Sequence, residues 1–218
     1  MQIIEGVLFE PVGCLAEFPS GQFLEIAAHL FGRRKKASQS GSRSYWHLLN
    51  LIHGANKKLD ESERQLVEAL ELQAVAAASL YEDVVPAISE LKDMGIKLFI
   101  ASSLSSTAIT RFLERYFLNE FFSAVWNRDN ASGVKAAPLA RAIGGASLQP
   151  EQMMFITDTL EGLKVSKTLG VHSILMMNDP DEARRLAMHN PAGGIVSLHE
   201  LPDFIRLVAA ENATQPGC

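Results

Sequence analysis

From residue 81 onward the chain alternates short apolar runs with helical blocks, and that rhythm restricts the fold more than any other feature. Lys97-Leu98-Phe99-Ile100-Ala101, residues 121–126, Met153-Met154-Phe155-Ile156-Thr157 and residues 173–177 have the length and apolarity of buried strands. Helical stretches separate them. The first covers residues 84–94 and stops at Gly95, and the second is capped by Ser106 and carries Ile109, Phe112, Leu113, Tyr116 and Phe117 on one face. Two more cover residues 137–143 and 160–169. Near the start, Val7-Leu8-Phe9 is a further apolar run, broken by Glu10-Pro11 and Gly13. Strands alternating with helices of this length predict an α/β fold, a doubly wound, Rossmann-like parallel sheet of about five strands covered on both faces.

Residues 16–80 interrupt that rhythm as an insertion would. Phe23, Ile26, Ala27, Leu30 and Phe31 form one helical stripe, ended by Gly32. Tyr45, Leu48, Leu49 and Ile52 form a second before Gly54. Asp60 with Glu63 is the cap signature of a third helix reaching toward Leu80. At the other end, Asp179-Pro180 opens a helix, Ser197 and Glu200 make a capping box for the last one, and residues 211–218 are expected to be a loose tail.

The 218 residues carry 20 basic and 25 acidic side chains, a net charge of −5, so the chain as a whole does not attract nucleic acid. Its first residues have no positive n-region, and no run approaches the ~20 apolar residues of a membrane span. Cys14 and Cys218 lie at opposite ends and suggest neither a disulfide framework nor a zinc site. These features predict a soluble, cytoplasmic protein with no nucleic-acid or membrane partner. The run Arg33-Arg34-Lys35-Lys36 fits a solvated helix end, the alternative being a docking patch for an acidic partner.

In an open parallel sheet, ligands bind beyond the carboxyl ends of the strands. Those ends carry Glu10, Val12 and Gly13, then Ser102 and Ser103, then Asp158, with Lys135 just ahead of a crossover helix. A lysine, an aspartate and one or two hydroxyls converging there could hold a phosphate or a small anion, with helix N-termini adding donors. Singly, each has a plainer alternative: Ser102 satisfying a turn, Lys135 exposed, Asp158 a helix N-cap.

Their order along residues 5–208 resembles the haloacid dehalogenase superfamily, in its subgroup with a helical cap. The first motif of that family, a strand followed by Asp-x-Asp-Gly-Thr-Leu, corresponds to Val7-Leu8-Phe9-Glu10-Pro11-Val12-Gly13-Cys14-Leu15. The second, a strand ending in Ser or Thr, corresponds to residues 95–103, ending in Ser102-Ser103. The third is a lysine ahead of a helix, here Gly133-Val134-Lys135 with Pro138. The fourth is Phe155-Ile156-Thr157-Asp158-Thr159-Leu160-Glu161-Gly162, which keeps the first acid and has glycine where the family has the second. Leu80-Tyr81-Glu82-Asp83-Val84-Val85-Pro86 resembles the return from cap to core. The resemblance implies a core of residues 1–15 and 81–210, a cap of residues 16–80 and the tail 211–218.

It also assigns roles. Glu10 stands at the nucleophile position, where an aspartate attacks phosphorus or carbon, and its extra methylene moves the carboxyl by ~1.5 Å. Near-attack geometry is lost at such displacements, and 1 Å can cost on the order of 100-fold in rate. Val12 stands at the acid/base position and cannot transfer a proton, forfeiting another ~10²–10⁴-fold. Ser102, Ser103 and Lys135 are the phosphate-binding positions, and Asp158 and Glu161 the remaining metal candidates. No cofactor is expected, and magnesium enters only through a residual site at those two acids. Cys14, in the threonine place, fits a small buried hydrophobe better than a nucleophile. The expected function is a phosphatase-like pseudoenzyme that binds a small phosphorylated molecule or a partner protein. The alternative is an active hydrolase using Glu10 in an adapted role, and an oligomer built on the cap helices stays open.

Overall fold

The computed structural model describes residues 3–32, 41–54 and 59–214; the run Arg33-Arg34-Lys35-Lys36 and Cys218 lie outside them. Six parallel strands form the main sheet: β1 (Gly6–Phe9), β4 (Lys97–Ala101), β5 (Ala124–Trp126), β6 (Met153–Thr157), β7 (His172–Met176) and β8 (Gly193–Ile195). Their order across the sheet is β5-β4-β1-β6-β7-β8, so β1 lies between β4 and β6 and is fully buried. Residues 7–9 are apolar on both sides because both faces of a central strand are covered. Phe9 is level with Ile100 of β4 and with Ile156 of β6. That register brings Glu10, Ser102 and Asp158 out at one edge of the sheet.

Helices α4 (Val84–Asp93), α5 (Ser106–Arg115), α6 (Ala136–Gly145), α7 (Leu160–Leu169), α8 (Pro180–Ala187) and α9 (Glu200–Thr214) cover the sheet. Leu8, Phe99 and Phe155 point to one face, where they meet Leu139 and Ala142 of α6. Val7, Phe9, Leu98, Ile100, Met154 and Ile156 face the other, the larger core.

The segment after β1 holds helices α1 (Ser20–Phe31), α2 (Gly41–Gly54) and α3 (Glu61–Ala77). Asp60 and Glu63 form the expected reciprocal cap of α3. The chain leaves and re-enters the core through a two-residue antiparallel ribbon, β2 (Ala16–Glu17) against β3 (Ser79–Leu80). Phe18 stacks on Phe112 of α5, with ring centroids 5.7 Å apart, and Phe23 of α1 tilts against Tyr45 of α2 at 5.0 Å. The apolar stripes of the inserted helices thus run into the same core cluster as one face of the sheet.

Four expectations are corrected. The sheet has six strands, not about five, because β8 contains two glycines and a single apolar residue. Strand β5 begins at Ala124, and Phe121 belongs to the preceding turn. The cap of α5 is Ser105, whose hydroxyl accepts from the Ala108 N–H. Residues 211–214 continue α9 as helix, not tail. Among the described residues no helix is long and apolar enough to cross a membrane.

Candidate active site

The turn after β1 folds tightly on itself. Gly13 takes a left-handed φ of 84°, a region that costs a side-chain-bearing residue ~1–2 kcal/mol. The Gly13 carbonyl accepts a 2.7 Å hydrogen bond from Asn178 Nδ2, beyond β7, and Asn178 also donates to Asp158 at 3.4 Å. With the turn pinned in this way, Val12 and Cys14 are fully buried in the core. The Cys14 thiol faces the Ile156 carbonyl at 3.5 Å, and burial pushes its pKa well up. A thiol held protonated in this way is inert.

Glu10 is 4% exposed. Its carboxyl lies between the residues expected to hold phosphate: Ser102 Oγ donates to Oε1 at 2.6 Å, and the Ser103 N–H donates to Oε2 at 3.3 Å. Burial raises its pKa from 4.5 to about 8, against the lowering effect of the Ser102, Ser103 and Val12 hydrogen bonds, and nearby Asp158 raises it further. Desolvation outweighs hydrogen bonding, so Glu10 is mostly a neutral acid at pH 7.

Lys135 reaches this place by its backbone. At a left-handed φ of 63°, its N–H donates to Ser103 Oγ at 2.7 Å. Its ammonium instead donates to Asn50 of α2, whose amide donates in turn to Glu161 Oε1 at 3.1 Å. The structure therefore gathers Glu10, Ser102, Ser103 and the Lys135 backbone, with Asp158 beside them, while the Lys135 and Glu161 side chains turn toward the inserted helices. Asp158 is not a helix cap; Thr159 is, accepting from the Gly162 N–H at 3.1 Å.

Three residues that sequence reasoning missed surround this group. Glu71 of α3 is buried, pairs with Arg128 and accepts from the Ser105 N–H at 3.2 Å. Burial raises its pKa, and the Arg128 guanidinium opposes that rise. A carboxylate on the apolar face set by Val67, Leu70 and Ala74 was the available signal. Arg128, in a turn, had none. The apolar stripe of α2 places Tyr45 in the core, and its ring is there, but its hydroxyl is buried with no partner at hydrogen-bonding geometry. Beyond Asp158 opens a cleft of about 200 Å³, also lined by Asn178, Glu17 and Arg43, the last paired with Glu182 at 2.6 Å.

These residues do not fit a magnesium shell, which needs several hard oxygens around one point. Val12 and Gly162 offer no side-chain oxygen, Glu10 is turned to Ser102, and Glu161 to Asn50. At Gly162 the space for an acid is filled, since a Cβ would stand 1.9 Å from Thr157 Oγ1. Among the described residues no cluster of three or more His, Cys, Asp or Glu is arranged to hold a metal.

Residues 39–176 match the family described as haloacid dehalogenase-like hydrolase, and the chain belongs to it. The match begins after the turn that carries Glu10. Among curated proteins the chain is similar to enolase-phosphatase E1 of Schizosaccharomyces pombe, 27% identical over 107 residues, which is 46% of this chain and 49% of that protein. The chain thus matches about half the length of that relative. Among solved structures, a haloacid dehalogenase-like hydrolase, SP0104 of Streptococcus pneumoniae, superposes with a TM-score of 0.71 at 15% identity, covering 92% of this chain and 98% of that one. CbbY of Rhodobacter sphaeroides, solved with phosphate, gives 0.69 at 19% identity over 91% and 96%. At such identities the likeness shows the fold.

Proposed function

We propose that this protein is a haloacid dehalogenase-like hydrolase in form whose Asp-based hydrolysis is impaired, and that it serves as a binding module for a small ligand or a partner protein, with residues 16–80 as its cap. The observation that carries this reading is the Glu10 carboxyl held between Ser102 Oγ and the Ser103 N–H. A nucleophile needs a free oxygen aimed at the reacting atom. Here both oxygens are engaged, in the space a substrate oxyanion would need. Val12, buried at the acid/base position, supplies no proton.

The second reading is an active hydrolase, a phosphatase of a small phosphorylated metabolite. The pKa of Glu10 favours it, because a carboxyl titrating near pH 8 is tuned for proton transfer at neutral pH. Steady-state kinetics with p-nitrophenyl phosphate and a panel of phosphorylated metabolites, with and without magnesium, separates the two. The expected result is no turnover above background in the natural chain or in Glu10→Gln. Turnover at an ordinary kcat of ~1–10³ s⁻¹ in the natural chain, lost in Glu10→Gln, would establish the second.

A further inference from the structure

We propose that the groove between α3 and α5 is a docking surface for an amphipathic helical segment of a partner protein, with apolar side chains seated against Phe117 and a carboxylate meeting Arg115. The inference stands apart from the chemistry at Glu10 and would survive the finding that the chain is an active hydrolase. It begins with the way α5 ends. The Phe117 N–H donates to the Glu114 carbonyl at 3.2 Å and the Leu118 N–H to the Leu113 carbonyl at 2.8 Å, a chain reversal that takes a left-handed residue at position 117. Helices α4 and α7 close with the same pair of bonds, and there the left-handed residues are Gly95 and Gly170. In α5 the residue is a phenylalanine, at φ 56° and 87% exposed. The apolar stripe of α5 assigns Phe117 to the buried face; the reversal turns it outward.

Both choices cost stability. A bulky side chain is strained in the left-handed region, and an aromatic ring left in water gains nothing from burial. Strain kept at one exposed place points to a function there. The surface around the ring suits a docked helix. Two adjoining hollows of about 480 and 470 Å³ run along the seam of α3 and α5, lined by Leu72 and Val75 and reaching Phe117. A groove between two helices accepts the ridge of a third, which lays apolar residues at i, i+3 and i+4 into it. The charge on the rim selects the chemistry of the partner. Arg111 faces Glu114 at 3.6 Å, whereas Arg115 lies over the Tyr116 ring at 5.4 Å and meets no carboxylate at ion-pair distance among the described residues. A cation without a counter-charge beside an apolar groove, on a chain of net charge −5, complements a segment that carries Asp or Glu next to its apolar anchors.

The test selects random helical peptides displayed on phage against the natural chain, with Phe117→Gly as the counter-selection, and measures the enriched peptide by fluorescence polarisation. The enriched sequence should carry apolar residues at helical spacing with Asp or Glu beside them. Phe117→Gly should weaken its binding about tenfold, as the loss of an aromatic anchor does. The same substitution should raise the melting temperature by about 2–4 °C, because glycine relieves the left-handed strain. Arg115→Glu should weaken binding about fivefold, and a peptide with Lys in place of its acidic residues should bind Arg115→Glu more tightly than it binds the natural chain. No peptide enriched over the counter-selection, enriched peptides without acidic residues, or an affinity indifferent to Arg115→Glu overturns the proposal. A melting temperature lowered by Phe117→Gly does so too, since the ring would then be holding the fold. A natural chain that sediments as a dimer, and as a monomer once Phe117→Gly is made, also overturns it, because the groove would belong to a second copy.

Discussion

The turn after β1 and the turn after β6 lie side by side, because those strands are hydrogen-bonded neighbours, yet they are built in different ways. In the first, the side chains point inward: Val12 and Cys14 are core, and Glu10 is sealed against Ser102. In the second, Asp158 opens onto a cleft, and the space beside Gly162 is filled by a neighbour, Thr157. The first turn is dry, and its titrating groups are shifted by desolvation. The second is crowded, and Gly162 is held there by packing. Glu10 is thus held by desolvation and hydrogen bonding and Gly162 by packing, and the two leave different marks on stability.

The largest expected effect belongs to the dry turn. Folded Glu10 keeps its proton to about pH 8, whereas its ordinary value is 4.5. Between those values the unfolded chain binds fewer protons than the folded one, so stability falls as pH rises. The contribution is complete below about pH 4.5 and gone above about pH 8. Each pH unit inside the window costs about 1.4 kcal/mol, for a total on the order of 5 kcal/mol. Urea unfolding across pH 5–8 should show that slope, and Glu10→Gln should flatten it, leaving the smaller share from Glu71, whose pKa is also raised.

The crowded turn should respond to volume. Gly162→Asp should destabilise by about 3 kcal/mol, the upper end of overpacking. Thr157→Gly in the same chain should recover most of that loss, and a double-mutant cycle by thermal unfolding reads the coupling. Additive effects would mean that Thr157 does not fill that space, and the contrast between the turns would fail.

A smaller effect is expected where the inserted helices touch the core through polar groups alone. Asn50→Ala removes the link between Lys135 and Glu161 and should cost about 1 kcal/mol in thermal unfolding, since both ends remain partly solvated. The least change of all is expected at Cys14. Its thiol should resist a disulfide reagent in the native chain and react only on unfolding, as measured in a Cys218→Ser background where Cys14 is the one remaining thiol.

Much of the fold was legible because it rests on period and punctuation. Residues 153–157 and 160–169 announce a strand and a helix and are found with those bounds. The ribbon of Ala16–Glu17 with Ser79–Leu80 was not legible, since two residues a side carry no period, and neither was Gly193–Ile195. At the site, motif spacing named Glu10, Ser102, Ser103, Lys135 and Asp158 but could not say where their side chains turn. The Glu10 carboxyl turns to Ser102 and Ser103, and Lys135 sends only its N–H inward because Asn50 takes its ammonium. Tyr45, Glu71 and Arg128 come from elements far apart in the chain, and only folding brings them to one place.

The central claim is that Glu10 is a sealed occupant of its pocket and not a working nucleophile, and the carbon-13 shift of its carboxyl as a function of pH tests that most directly. The account predicts a titration near pH 8 that added phosphate does not move, because the pocket is already filled. A midpoint near 4.5, or a shift that follows phosphate, would mean a solvated, accessible carboxylate and would contradict it.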